Sequence, residues 1–218
     1  MKRYSNTFLV LLSAYITCLL LSNLIAGKLW QPFAGVTLPA AVVLFPVTYI
    51  LGDIFSEVYG LKKTRTVIWL GFAACFLAAM VYMLTIALPH PDSFSAQSAY
   101  ETVLGSTPRV LLASLAGYLF GEMSNAVVLT QIRRATGAKW LWVRTIVSTL
   151  VGEGFDSVIF ITVAFAGTLP GDVLRQMMLY QYLFKVAYEA LFTPLTYAAV
   201  RFVRKKETSP EGEAACAE

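Results

Sequence analysis

Six apolar runs, each about as long as a bilayer is thick, take up almost the whole of this 218-residue chain. A helix needs about 20 mainly apolar residues to cross the hydrocarbon core. The runs fall near 7–27, 38–59, 65–88, 107–131, 141–168 and 173–203, bounded by Gly, Pro or clusters of charge. Gly60 precedes Lys62 and Lys63, Pro89-His90-Pro91 follows the third run, and Leu169-Pro170-Gly171-Asp172 reads as a turn whose Asp172 caps the last helix. The composition agrees: 57% of residues are hydrophobic and only 14% charged, against about a quarter charged in a soluble domain. The expected fold is therefore an all-α integral membrane protein of six transmembrane helices over residues 1–206. The polar, acidic stretch 207–218 has no apolar periodicity and is expected to be a disordered cytoplasmic tail.

The first run follows Lys2 and Arg3, as a signal peptide would, but it is too long for such a segment and lacks a small-residue cleavage site. It is read as the first span. Cys18 and Cys75 lie inside apolar runs and Cys216 in the tail, which is no disulfide framework. The net charge of +4 implies no nucleic-acid partner, because the basic residues flank the apolar runs.

Those basic residues also orient the chain. Lys2, Arg3, Lys62, Lys63, Arg65, Arg133, Arg134, Lys139, Arg144, Arg201, Arg204, Lys205 and Lys206 fall on one side, and only Lys28, Arg109 and Arg175 on the other. Thirteen against three makes the rich side cytoplasmic, with both termini there and the segment 89–106 outside. Trp30, Trp140 and Trp142 at helix ends, with Trp69 about one turn in, suit interfacial anchors.

One internal echo pairs the two halves. Gly52-Asp53-Ile54-Phe55-Ser56-Glu57-Val58 resembles Gly152-Glu153-Gly154-Phe155-Asp156-Ser157-Val158, and Ser22-Asn23 resembles Ser124-Asn125, at offsets of 100 and 102. Two halves of three helices each would be inverted in the membrane, a 3+3 inverted repeat. Chance recurrence of small and polar residues gives the same pattern.

The chemistry lies in the acids that the runs contain. Asp53, Glu57, Glu122, Glu153, Asp156 and Glu189 all fall within spans, and Lys185 is the one deep cation. A charged residue at a helix centre costs about 2.5–3.5 kcal/mol, so these groups are expected to face one another, water or a ligand. Asp53 and Glu57 are four residues apart, Glu153 and Asp156 three, Glu122 and Asn125 three, Lys185 and Glu189 four, so each pair shares a helix face. With Asn23 they are enough to line one central cavity. For Glu57 an interfacial ion pair competes with ligand contact, and Lys185 with Glu189 would equally serve as a self-neutralising pair. Asn23, Asn125 and Gln131 would serve as bonds between helices. Gly117 and Gly121 form a small-residue step suited to close helix packing. Gly152, Gly154, Pro46 and Pro194 are candidates for local unwinding. Phe45, Tyr49, Phe55, Phe155, Phe160 and Tyr188 are aromatics that a planar ligand would stack upon.

Enzymatic signals are weak. His90 is the lone histidine, and there is no Gly-x-Ser-x-Gly, His-Glu-x-x-His or Walker motif. No cofactor or metal is expected. The residues leave open a substrate-capture subunit that borrows an ATP-driven module, an intramembrane enzyme using Glu153 and Asp156 as an acid pair, and a proton channel.

The run from Phe45 through Gly52-Asp53-Ile54-Phe55-Ser56-Glu57 to Gly60 carries a resemblance, together with Ser22-Asn23, Gly121-Glu122, Glu153-Gly154-Phe155-Asp156-Ser157 and Tyr182-Leu183-Phe184-Lys185. It resembles the queuosine precursor transporters, also called the vitamin uptake transporter family, over about residues 7–205. The resemblance implies a secondary transporter in the bacterial inner membrane, not an enzyme. It would import 7-cyano-7-deazaguanine and/or 7-aminomethyl-7-deazaguanine and share its fold with vitamin-binding membrane subunits. It implies a small-molecule partner within the lipid bilayer, and homo-oligomers stay open. The expected substrate-binding residues are Asn23, Asp53, Glu122, Asn125, Glu153, Asp156, Lys185 and Glu189. A carboxylate would accept the ring N–H and exocyclic amine of a guanine-like edge as a bidentate pair.

Overall fold

A computed structural model of the chain describes residues 5–33, 35–136 and 141–207. The segments 1–4, 137–140 and 208–218, with Lys139 and most of the expected tail, lie outside the described residues, as do the side chains of Glu122 and Asn125.

All six apolar runs contain helix, but not in equal measure. The first is α1 (Asn6–Ile25), started by Ser5, whose Oγ accepts from the Phe8 amide at 3.1 Å as a helix cap. Where the second helix is expected from residue 38, a hairpin intervenes: β1 (Leu29–Phe33) pairs antiparallel with β2 (Val36–Pro39), with Leu29 opposite Pro39. A short 3-10 turn (Ala40–Val43) then leads into α2 (Phe45–Ile54), so Pro46 sits in the first turn of a helix, where its missing N–H costs nothing, and does not break one.

The second run changes pitch at its end, becoming a π-helical turn over Phe55–Tyr59. Gly60, at φ +82°, separates it from α3 (Leu61–Ala87); only glycine takes that conformation without strain. The segment expected as an outer loop contains a further helix, α4 (Gln97–Leu104). The chain closes with α5 (Thr107–Thr136), α6 (Leu141–Phe165) and α7 (Gly171–Glu207). Both α6 and α7 run unbroken past Gly152, Gly154 and Pro194, so among the described residues the unwinding near an expected site is the π turn. Glu207, placed by sequence in the tail, is the last residue of α7.

Among the described residues, four stretches are long and apolar enough to cross a membrane: Asn6–Ile25, Leu61–Ala87, Gln97–Gly121 and Ile146–Phe165. The other two fall short for physical reasons. The 10 residues of α2 and 5 of the π turn reach at most about 22 Å, less than a hydrocarbon core of about 30 Å. Along α7, Arg175, Lys185 and Glu189 interrupt the apolar character. Phe76, Leu77, Met80 and Leu84 point outward from α3, as side chains facing lipid do.

The buried packing forms separate patches. One joins Ala26, Val110, Ala113, Phe160, Ile161, Ala164 and Met177 near the hairpin. Another gathers Phe8, Phe55 and Val67, with Phe8 edge-on to Phe55 at 5.5 Å and to Tyr59 at 5.0 Å. The most extensive helix contact among the described residues is α5 on α6. A methyl built on Gly117 would stand 2.6 Å from Asp156 Oδ1, and one on Gly121 would stand 3.1 Å from the Gly152 carbonyl oxygen. The small-residue step thus lets α5 approach the acid-bearing face of α6.

Candidate functional site

Residues of both buried patches, among them Ala26, Val110 and Phe160 from one and Phe55 and Val67 from the other, line a single cavity of about 520 Å³. Small-molecule sites occupy about 300–1,000 Å³. Leu61 and Arg65 also line it and are exposed, so the cavity reaches the end of the molecule that carries Lys62 and Lys63.

Its chemistry is concentrated where α6 meets α7. The three-residue spacing of Glu153 and Asp156 puts both carboxylates on one face of α6, and Lys185 on α7 projects between them. The Lys185 ammonium stands 3.1 Å from Glu153 Oε2 and closer still to Asp156 Oδ2. The lysine side chain is 3% exposed, and the two acids keep 19% and 26% of theirs open. An ammonium has three donors, enough to serve both. Lys185 is thus shared by the two acids of α6.

Asp53 and Asn23 line the same cavity. Asn23 is fully engaged there: its Nδ2 donates to the Leu19 carbonyl at 2.9 Å and to Cys75 Sγ at 3.4 Å, and its Oδ1 accepts from Ser114 Oγ at 3.3 Å. It cross-links α1, α3 and α5 at the wall. Glu189 is exposed and is not among the lining residues. The sites expected at Glu122 and Asn125 lie outside the described residues, although Gly121 beside them lines the cavity. Glu57 forms an ion pair with Arg204 on α7 at 3.7 Å, a partner remote in sequence, where the neighbouring Lys62 and Lys63 were the expected cations. Of the expected aromatics whose side chains are described, Phe55 and Phe160 border the cavity; the side chains of Phe45 and Tyr49 lie outside the described residues. Phe155 is exposed, and Tyr188 stacks on Phe192 with ring centroids 4.0 Å apart. Among the described residues, no three His, Cys, Asp or Glu side chains gather as a metal site would require.

Sequence reasoning passed over Gln181. It lines the cavity, is 1% exposed, and neither its amide nitrogen nor its amide oxygen has a hydrogen-bond partner among the described residues. The available signal was its position one helical turn before Lys185, on the same face of α7. Ser22, beside Asn23, is a second buried polar group in the wall with an unpartnered hydroxyl.

The family model described as "Putative vitamin uptake transporter" matches residues 39–199. A protein of Bacillus subtilis (strain 168) named "Probable queuosine precursor transporter" is 32% identical over 176 residues, covering 80% of this chain and 77% of the relative. A Haemophilus influenzae protein of the same name is 21% identical over 166 residues, covering 74% of this chain and 68% of the relative. No solved structure gives a significant match. A helical bundle with several stretches apolar enough to cross a bilayer, built around a cavity with charged walls, is what a multi-pass transporter requires. The chain belongs to the vitamin uptake transporter family.

Proposed function

We propose that this protein is a secondary transporter that imports the queuosine precursors 7-cyano-7-deazaguanine and/or 7-aminomethyl-7-deazaguanine across the bacterial inner membrane. The observation that carries the reading is the buried Lys185 held between Glu153 and Asp156 in the wall of a cavity of ligand size. Two carboxylates on one ammonium leave acceptor capacity over, and a carboxylate oxygen pair matches the ring N–H and exocyclic amine of a guanine-like edge. The names of the two relatives point to the same cargo. Phe160 belongs to the apolar part of the wall, and Asp53 is a further acceptor in the same wall.

The test is uptake of labelled deazaguanine into vesicles containing only this protein, with and without a proton gradient. Accumulation driven by the gradient is expected. Uptake that appears only with an added ATP-driven partner would make the chain a substrate-capture subunit instead, and chemical conversion of the base would make it an enzyme. Glu153→Gln and Asp156→Asn keep shape but replace an acceptor by a donor. One of them is expected to lose at least roughly tenfold in affinity, since an unpaired buried charged bond costs about 2–5 kcal/mol. Normal transport by both variants would overturn the site.

A further inference from the structure

Gln181 is the one fully buried side chain of the cavity wall whose hydrogen-bonding groups, both of them, have no partner among the described residues. Buried amides are almost always paired, because an unpaired one forfeits the hydrogen bonds it made to water. A primary amide offers a donor and an acceptor side by side in one plane. Its natural complement is a ring edge that presents an acceptor beside a donor.

The proposed cargo has such an edge left over. If a carboxylate takes the ring N1–H and one hydrogen of the exocyclic amine of a 7-deazaguanine, the carbonyl at C6 is left beside the substituent at C7, a nitrile acceptor in one cargo and an amine donor in the other, which give one amide no common pattern to read. On the opposite side N3 is an acceptor that adjoins two donors, the second hydrogen of the exocyclic amine and N9–H, and N9–H lies where a nucleoside carries its sugar. Gln181 lies one helical turn from Lys185 on the same face of α7, and both line this cavity with Glu153 and Asp156. We propose that Gln181 is a specificity-determining residue that pairs through both ends of its amide with N3 and N9–H, so that the cavity takes the free base and rejects N9-substituted forms, nucleosides included. This rests on the deazaguanine reading above.

The experiment measures binding of 7-cyano-7-deazaguanine and of its 9-methyl derivative to the purified full-length protein in lipid nanodiscs. The wild-type protein is expected to prefer the parent base by roughly tenfold or more, the scale of two neutral buried hydrogen bonds. Gln181→Ala should weaken the parent by a similar factor and, with space opened, bind the two compounds about equally. Gln181→Met, which keeps the volume and removes the hydrogen bonds, should weaken the parent alike and guards against a folding defect in the alanine variant. If the wild-type protein binds both compounds equally, or both variants bind the parent as tightly as wild type, the role of Gln181 is wrong while the transport reading stands. If the wild-type protein binds neither compound, the cargo is wrong and the role of Gln181 falls with it.

Discussion

Lys185 is the residue on which the cavity wall depends. Taking an ammonium out of water is costly, and two carboxylates offset that cost only while both remain in place. Lys185→Met would leave Glu153 and Asp156 side by side on one helix face with no cation between them. The expected outcome is a loss of about 3–5 kcal/mol of stability, the scale for breaking a buried pair, seen as a lower melting temperature in detergent. Adding Asp156→Asn to Lys185→Met should recover part of it, because the second change removes a charge that has lost its partner. A single variant that melts with the wild type would show that the ion group does not hold α6 to α7. The sharing of one lysine by two acids was not legible in the sequence. The three-residue and four-residue spacings identified faces, but which face of α7 turns toward which face of α6 is a matter of helix rotation, and Lys185 with Glu189 satisfied the same spacing rule equally well.

At the scale of elements, the approach of α5 to α6 positions the acids. Gly117 and Gly121 leave no room for a side chain against Asp156 and Gly152. Gly117→Ala and Gly121→Ala are each expected to lower transport roughly tenfold, since misplacing binding groups by a fraction of an ångström is expensive, with expression in the membrane unchanged. Gly154→Ala is the control, because its added methyl would meet only the Tyr182 ring at an ordinary 3.7 Å. Equal activity of all three would mean that the helix spacing does not set the site. The small-residue step itself could be read in the sequence; its partner could not. The same holds at the ends of α7. A helix of 37 residues is about 55 Å long, so it outruns the hydrocarbon core, and Glu207 at its tip accepts from Ser5 at 2.5 Å and from Tyr59 at 2.9 Å. That contact ties the cap of α1 and the π turn to the last helix, across a sequence separation that no local pattern reports.

For the whole molecule, the distribution of lysine and arginine predicts both termini and the 62–65 segment on the cytoplasmic side, with α4 on the other. Cysteine introduced at Lys62 should react with an impermeant thiol reagent only after the membrane is opened, and cysteine at Gln97 in intact cells. The reverse pattern would overturn the orientation. The two echoing segments also differ in setting: 52–58 lies across the junction of α2 and the π turn, whereas 152–158 lies within unbroken α6. Each nonetheless brings an acid to the same cavity, Asp53 from one and Glu153 with Asp156 from the other.

The class of fold and the inventory of polar groups were determined by the sequence alone, because hydrophobic length and the cost of charge in lipid act on each segment separately and need no neighbour. The helical, membrane-crossing character of the chain follows from that, as do the acids that had to find partners. Tertiary structure decided everything that depends on how those helices are rotated and spaced. It turned Asp53, Glu153, Asp156 and Lys185 into the wall and left Glu189 outside it. It committed Asn23 to holding three helices together, and it turned the unremarked Gln181 inward without a hydrogen-bond partner among the described residues. Where the helix expected over 38–59 departs from the α form, at the end of the hairpin, the 3-10 turn Ala40–Val43 and the π turn Phe55–Tyr59, the sequence is apolar, and apolarity by itself does not distinguish one buried backbone geometry from another.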